Sequence, residues 1–330
     1  MTQVWTVRGP IDSSELGNVL VHEHVVIVGE EFRRNYAQWD EQAVVDDAVT
    51  QLNELKGLGI DTILDPTVLG LGRYIPRIQQ IAARTDLNIV PATGLYTYND
   101  LPFQFHYNGP GTLFGGPEPL VDLFVKDLTE GIADTGVRAA FLKCAIEEQG
   151  LTPGVERAMR AVGQAAVRTG APITVHTHPA SESGLVAQRV LAEEGVNLTR
   201  VVIGHSGDTD DIDYLMRLAD AGSYLGMDRF GLDSPLTTQQ RVDTIVELVR
   251  RGYTDRITIS HDASCVIDWF GDVDRAEVAP HWNYRHISED VLPALADKGV
   301  SKDDIDTILR ANPRRHFEGE GEGGARGVRG

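Results

Sequence analysis

GVERAMRAVGQAAVRTGAPITVHTH, residues 154 to 178, carries one complete structural repeat. Up to Thr169 its apolar side chains recur at the three- and four-residue spacing of an amphipathic helix, and Gly170 follows, as glycine often does at helix ends. After Pro172 the pattern changes to a short β-type run that ends in His176 and His178. The same alternation extends in both directions. Further β-type runs are NVLVHEH (18 to 24), DTILD (61 to 65), NIVPATG (88 to 94), RAAFLKC (138 to 144), RVVIGHS (200 to 206), SYLGMDR (223 to 229) and RITISHD (256 to 262). Helical patterns such as DDAVTQLNELKGLG and QQRVDTIVELVRRG lie between them. Eight strand–helix units in about 240 residues match a closed (β/α)8 TIM barrel of the α/β class better than an open doubly wound sheet. The expected organisation is a single domain over residues 1–317 and a disordered Gly/Glu-rich tail over 318–330.

Polar residues mark the C-terminal ends of these runs. Lys143, His176, His205, Arg229 and Asp262 follow one another at steps of 24 to 33 residues, about one repeat each, and His22 and His24 end the first run. A barrel brings all these ends to one face, where such folds keep their active sites. In the first run, strand alternation turns His22 and His24 to one wall and Glu23 to the other. Alone, that pair is a weak sign of metal. The recurrence at the same end of successive repeats is a strong one.

The set also constrains the kind of site. Four histidines, a carboxylate and a lysine are too many ligands for one tetrahedral zinc and suit two cations that share bridges. A buried ammonium would repel them, whereas a desolvated amine has a lowered pKa and can react with carbon dioxide to give an anionic carbamate. The alternative for Lys143 is a buried salt bridge, with Asp262 as its partner.

Bulk properties exclude several classes. Thirty basic against forty-nine acidic residues give a net charge of −19, which repels phosphate backbones, so no nucleic-acid partner is expected. No apolar run approaches the roughly 20 residues of a membrane span. The start MTQVWTVRGPIDSSE has neither the basic nor the apolar part of a secretory signal, and two cysteines are too few for a disulfide framework. A cytoplasmic location and no membrane association are expected.

The motifs VHEH (21 to 24), DPTVLGLGR (65 to 73), GLYTYNDLPF (94 to 103), FLK (141 to 143), VVIGHSGDTDDIDYL (201 to 215), GMDRFG (226 to 231), ISHD (259 to 262) and NPRR (312 to 315) resemble those of the phosphotriesterase family of the amidohydrolase superfamily. The chain is most similar to that family's phosphotriesterase-like lactonases. The resemblance implies that His22, His24 and Asp262 hold one divalent metal ion and His176 and His205 a second, with carboxylated Lys143 and a hydroxide as bridges. Zinc is the first expectation; cobalt, iron and manganese accept the same donors. It further implies that Asp262 moves a proton from the hydroxide to the leaving alkoxide, and that Tyr96 orients the substrate. Arg229 packs near Asp262 where phosphotriesterases proper carry histidine, which favours lactones. The implied activity is opening of lactone rings, above all N-acyl-homoserine lactones (quorum quenching), with promiscuous organophosphate hydrolysis. Other aliphatic γ- or δ-lactones, a primary aryldialkylphosphatase and, more remotely, a non-catalytic metal-binding barrel are the alternatives. Family members are commonly homodimers.

Other residues carry two readings. Tyr98 lines the same wall as Tyr96 or belongs to an aromatic loop core. Asp208 orients the site, as carboxylates around metals do, or caps the next helix. Cys265 and Trp269, in the long segment 263 to 284, are expected in the substrate pocket, with Trp269, Phe270 and Trp282 forming a channel or packing on the rim. His178 and His261 are expected outside the ligand set, and His106, His281, His286 and His316 in loops or helices without a surrounding constellation.

Overall fold

The computed structural model describes residues 2–35, 39–271 and 273–319. The chain starts with an antiparallel hairpin, β1 (Gln3–Thr6) and β2 (Gly9–Asp12), which the sequence patterns did not signal. Then come β3 (Val19–Leu20), β4 (His24–Ile27), β5 (Thr62–Asp65), β6 (Asn88–Gly94), β7 (Phe141–Ala145), β8 (Ile173–His176), β9 (Val201–Gly204), β10 (Tyr224–Met227), β11 (Ile257–Ile259) and β12 (Ser264–Ile267). All neighbouring pairs from β3 and β5 through β11 are parallel. The first run is broken into two pieces: β3 pairs with β5, whereas β4 pairs with β12, a strand beyond the eighth run, and this second pairing closes the (β/α)8 barrel.

The break in the first run has a visible cause. Glu23 N–H still donates to Leu64 of β5, but His22 N–H donates to the Ser260 hydroxyl and His24 N–H to the Ala263 carbonyl. The backbone thus changes partners within three residues, and His22 sits at the change. The alternation survives it: the His22 and His24 rings share one wall, and Glu23 on the other accepts from the backbone of His261 and Ala263 and from His261 Nδ1.

The helical layer follows the sequence patterns. The helices flanking the barrel are α1 (Glu30–Arg33), α2 (Glu41–Gly57), α3 (Ile75–Ala82), α4 (Pro119–Thr129), α5 (Pro153–Thr169), α6 (Ser183–Glu193), α7 (Ile212–Asp220) and α8 (Thr238–Arg250). In α5 the Thr152 hydroxyl accepts from Val155 N–H at the N-cap, Pro153 occupies the first turn and Gly170 ends the helix in the left-handed region. Its buried face, Val155, Ala158, Met159, Val162 and Ala166, packs on the barrel. The segment expected as a plain loop after the eighth run instead contains β12 and a short helix, Arg275–Val278. The tail falls outside the described residues from 320 onward; Glu318 closes the last helix, Asn312–Glu318, and accepts from the Ser13 hydroxyl at 2.5 Å. Among the described residues no helix is long and apolar enough to cross a membrane.

Candidate metal centre

The six residues expected at the barrel mouth meet there. Asp262 Oδ1 lies 3.2 Å from His22 Nε2 and 3.3 Å from His24 Nε2, Lys143 Nζ lies 3.2 Å from the same His22 nitrogen, and His205 Nε2 is 2.7 Å from His176 Nδ1. His22, His205 and Asp262 alone offer three ligand atoms within 4.8 Å of one another. His205 and Asp262 reach these positions from a left-handed backbone (φ 63° and 55°), a conformation that costs a non-glycine residue about 1–3 kcal/mol and is concentrated at functional sites.

Tautomers can be assigned from the partners, because a carboxylate only accepts. His22 Nδ1 donates to Asp228 Oδ2 (2.7 Å), His205 Nδ1 to Asp228 Oδ1 (2.9 Å), and His176 Nε2 to Glu147 Oε1 (2.7 Å). His24 Nδ1 donates to the Thr67 hydroxyl (2.7 Å), whose own proton goes to Asp65 at 2.5 Å. Each ring is therefore left with a lone pair on the nitrogen that faces inward. The His176 and His205 lone pairs confront each other, and those of His22 and His24 confront the Asp262 carboxylate. Lone pairs so arranged repel, and bound cations turn that repulsion into ligation. This donor set, nitrogen-rich with one carboxylate and one amine, fits divalent transition metals.

Electrostatics agrees. Burial lowers His22, brings His176 to about 4 and holds His205 well below its ordinary pKa, so the rings are neutral at pH 7. Burial also lowers Lys143 to about 8, against the pull of Asp262 and Asp228, which brings the neutral amine within reach near neutral pH. Burial opposes the charge on Asp262, but the Arg229 guanidinium, 3.2 Å away, helps keep it well below the usual carboxylate range.

Asp228 and Glu147 were not singled out in the sequence. Asp228, fully buried after β10, accepts from both His22 and His205 and from the His205 backbone as well. Two glycines make room for it: a Cβ on Gly226 would stand 2.7 Å from Asp228 Oδ2, and one on Gly204 3.1 Å from the same oxygen. A charged residue inside an otherwise apolar run, flanked by glycines, was the available signal. Glu147, beyond the end of β7, gave none.

Of the remaining expectations, Arg229 donates through Nε to Asp262 Oδ2 (3.2 Å) and through Nη1 to Asp208 Oδ2 (2.8 Å). Asp208 also accepts from Arg241 at 2.6 Å, and Asp211 is the residue that caps α7, so Asp208 anchors the arginine and is not a helix cap. The Tyr96 hydroxyl is 3.2 Å from His176 Nδ1 and hydrogen-bonds the Tyr98 hydroxyl. A cavity of about 220 Å³ opens over the cluster, bounded by Tyr96, Tyr98, Arg229 and the apolar Ile27, Leu71, Leu232, Ile267, Trp269, Phe270 and Trp282. Cys265 is absent from this wall. Its thiol faces Ala48 of α2 and the Tyr284 hydroxyl, because Cys265 belongs to strand β12 and is turned to the helical layer there; burial pushes it up to about 12, as it does Cys144. His178 has Nδ1 3.1 Å from the Ser181 hydroxyl and donates through its backbone N–H to the Ser183 hydroxyl at the start of α6, and His261 is held by Glu23 and by Ile287 N–H. His281 and His286, expected to stand alone, come together with Asp290.

Comparison with known proteins agrees with this geometry. The sequence model of the phosphotriesterase family matches residues 2–317. A phosphotriesterase homology protein of Mycobacterium tuberculosis is 54% identical over 323 residues, covering 97% of this chain and 99% of that protein. An aryldialkylphosphatase of Saccharolobus solfataricus is 40% identical over 314 residues, covering 94% and 98%. The solved structure of the phosphotriesterase from Mycobacterium tuberculosis superposes with a TM-score of 0.94 at 54% identity, over 96% of this chain and 98% of that one.

Proposed function

Because the chain belongs to the phosphotriesterase family, we propose that it is a binuclear-metal hydrolase that opens lactone rings, N-acyl-homoserine lactones foremost, and hydrolyses phosphotriesters more weakly. His22, His24 and Asp262 would hold one cation and His176 and His205 the other, with Lys143 joining them as its carbamate, formed when the neutral amine takes up carbon dioxide and loses a proton. When bound, two such cations supply Lewis acidity at the substrate carbonyl and a water acidified to near neutral pKa.

The protein's own groups do the rest. Asp262 accepts the proton released as the carbonyl is attacked and returns it to the alkoxide freed by ring opening. Arg229, pinned by Asp208, holds the Asp262 carboxylate in its position. Tyr96 places a hydroxyl beside His176, where it can donate to a substrate oxygen and fix the ring over the inward nitrogens. The observation that supports the lactone reading is the pairing of the Tyr96 hydroxyl, joined to that of Tyr98, with an apolar wall, Ile27, Leu71, Ile267 and Trp269, on the same cavity: a polar ring head at the cluster and an acyl chain along the wall. The name of the Saccharolobus relative favours a second reading, in which an aryl dialkyl phosphate is the main substrate. Measuring kcat/KM of the metal-loaded enzyme on an N-acyl-homoserine lactone series and on aryl dialkyl phosphates separates the two. We expect the lactones to lead by at least tenfold; a lead for the phosphates overturns the lactonase reading.

A further inference from the structure

A second group of metal-binding side chains lies outside the cavity. His286, just before the π-helical turn Ile287–Val291, and Asp290, one turn on, bring Nδ1 and Oδ2 to 2.8 Å, and the His281 ring stands 5.3 Å from that of His286 between centroids. One donor atom from each of the three falls within 4.8 Å of the other two. Neither histidine lines the cavity, although Trp282, the neighbour of His281, does.

The environment of His286 prepares it for ligation. Its Nε2 is 2.8 Å from the Thr238 hydroxyl, and Thr238 in turn contacts Asp233 Oδ1 at 3.4 Å through the hydroxyl and at 3.0 Å through its backbone N–H. Because a carboxylate only accepts, Nδ1 donates to Asp290 and the Thr238 hydroxyl donates to Nε2. A cation entering between Nδ1 and Oδ2 would displace that proton, and the ring's one proton would then sit on Nε2, where the Thr238 hydroxyl can accept it and turn its own toward Asp233. The cation-bound arrangement would match that of His24, whose outer nitrogen is held by a threonine hydroxyl backed by a carboxylate. Asp290 and His281 are exposed, so the His281 ring can rotate to close the remaining gap. Two imidazoles and one carboxylate, with an open position for water, make a set suited to zinc and its borderline neighbours and poorly suited to calcium or magnesium, which take oxygen ligands.

We propose that His281, His286 and Asp290 form a further divalent-cation site, separate from the barrel mouth, that staples the segment ending in Trp282 to the helix that follows it. Trp282 is otherwise tied through Nε1–H to the His261 carbonyl at 2.9 Å. A cation on His281 would fix the residue next to it, and with it one edge of the cavity.

The test is zinc binding by tag-free, full-length protein. Wild type, His281→Ala and Asp290→Asn are stripped, titrated with Zn2+ by calorimetry, and assayed for bound zinc after desalting. The expected result is one fewer zinc per chain in both variants, or a transition weakened at least about tenfold. Both changes are at exposed side chains, so the fold is retained, and circular dichroism confirms it. Because the difference between wild type and variants is read, the outcome is independent of how many cations the mouth itself holds. Identical stoichiometry and affinity in all three proteins overturns the proposal.

Discussion

The floor of the barrel mouth and its rim, a few residues apart in the chain, are built in opposite ways. On the floor, His22, Lys143, His205 and Asp228 are 1% exposed or less, and each imidazole has its outer nitrogen satisfied by a buried acceptor. On the rim, Trp269 is 58% and Tyr98 38% exposed, and contacts there are mainly between rings and apolar groups. Buried polar networks are rigid when complete and costly when broken. An exposed aromatic edge can change with little penalty. Chemistry therefore resides where every atom is spoken for, and selectivity where substitution is cheap.

The sharpest way to break this contrast is at Asp262. Asp262→Asn keeps the size of the side chain but removes its negative charge and its capacity to take a proton, while Arg229 still faces it from 3.2 Å. We expect kcat/KM to fall about a thousandfold, the scale of a lost general base, with bound metal measured in parallel. Hydrolysis within tenfold of wild type would show that the carboxylate does not handle the proton.

Asp228 comes next, and it tests whether the outer layer of the floor matters as much as its burial suggests. Its two oxygens orient His22 and His205. Asp228→Asn turns one acceptor into a donor that faces an N–H, so one histidine loses its tautomer. Metal affinity is expected to fall about 10- to 100-fold, read as the chelator concentration that removes half of the activity. An unchanged chelator midpoint would make Asp228 a mere packing residue.

This difference between floor and rim also explains what the sequence disclosed. Strand ends recur with the repeat, so Lys143, His176, His205, Arg229 and Asp262 could be read as neighbours from spacing alone, and the barrel with them. The alternation in VHEH placed His22, His24 and Glu23 correctly even though the strand is broken there. Acceptors contributed off the repeat were harder to see. Asp228 stands beside Arg229, and alternation assigned only one of the two to the site; the empty space over Gly204 and Gly226 lets both face it. Cys265 was misplaced because the segment after the eighth run reads as a loop over the site, whereas Ser264–Ile267 is a strand that turns the thiol to the helical layer. The His281 cluster joins a loop residue to one turn of helix, a contact that no periodicity announces.

The smallest effect is expected on the rim, at Trp269. It borders the cavity beside Ile267 and Phe270, yet more than half of it faces solvent, so its removal leaves no buried void and no orphaned polar group. Its contribution is the apolar area that it covers on a bound chain. For a lactone with a long acyl chain, Trp269→Ala removes contact with one or two methylenes, each worth about 0.8 kcal/mol when fully buried and less on a half-open wall. KM should therefore rise about three- to tenfold for long chains, stay within twofold for short ones, and leave kcat unchanged, since no group on the floor has moved. If long and short chains were affected alike, the wall would not be the acyl channel; if kcat fell with KM, floor and rim would be coupled, and the separation drawn between them would fail.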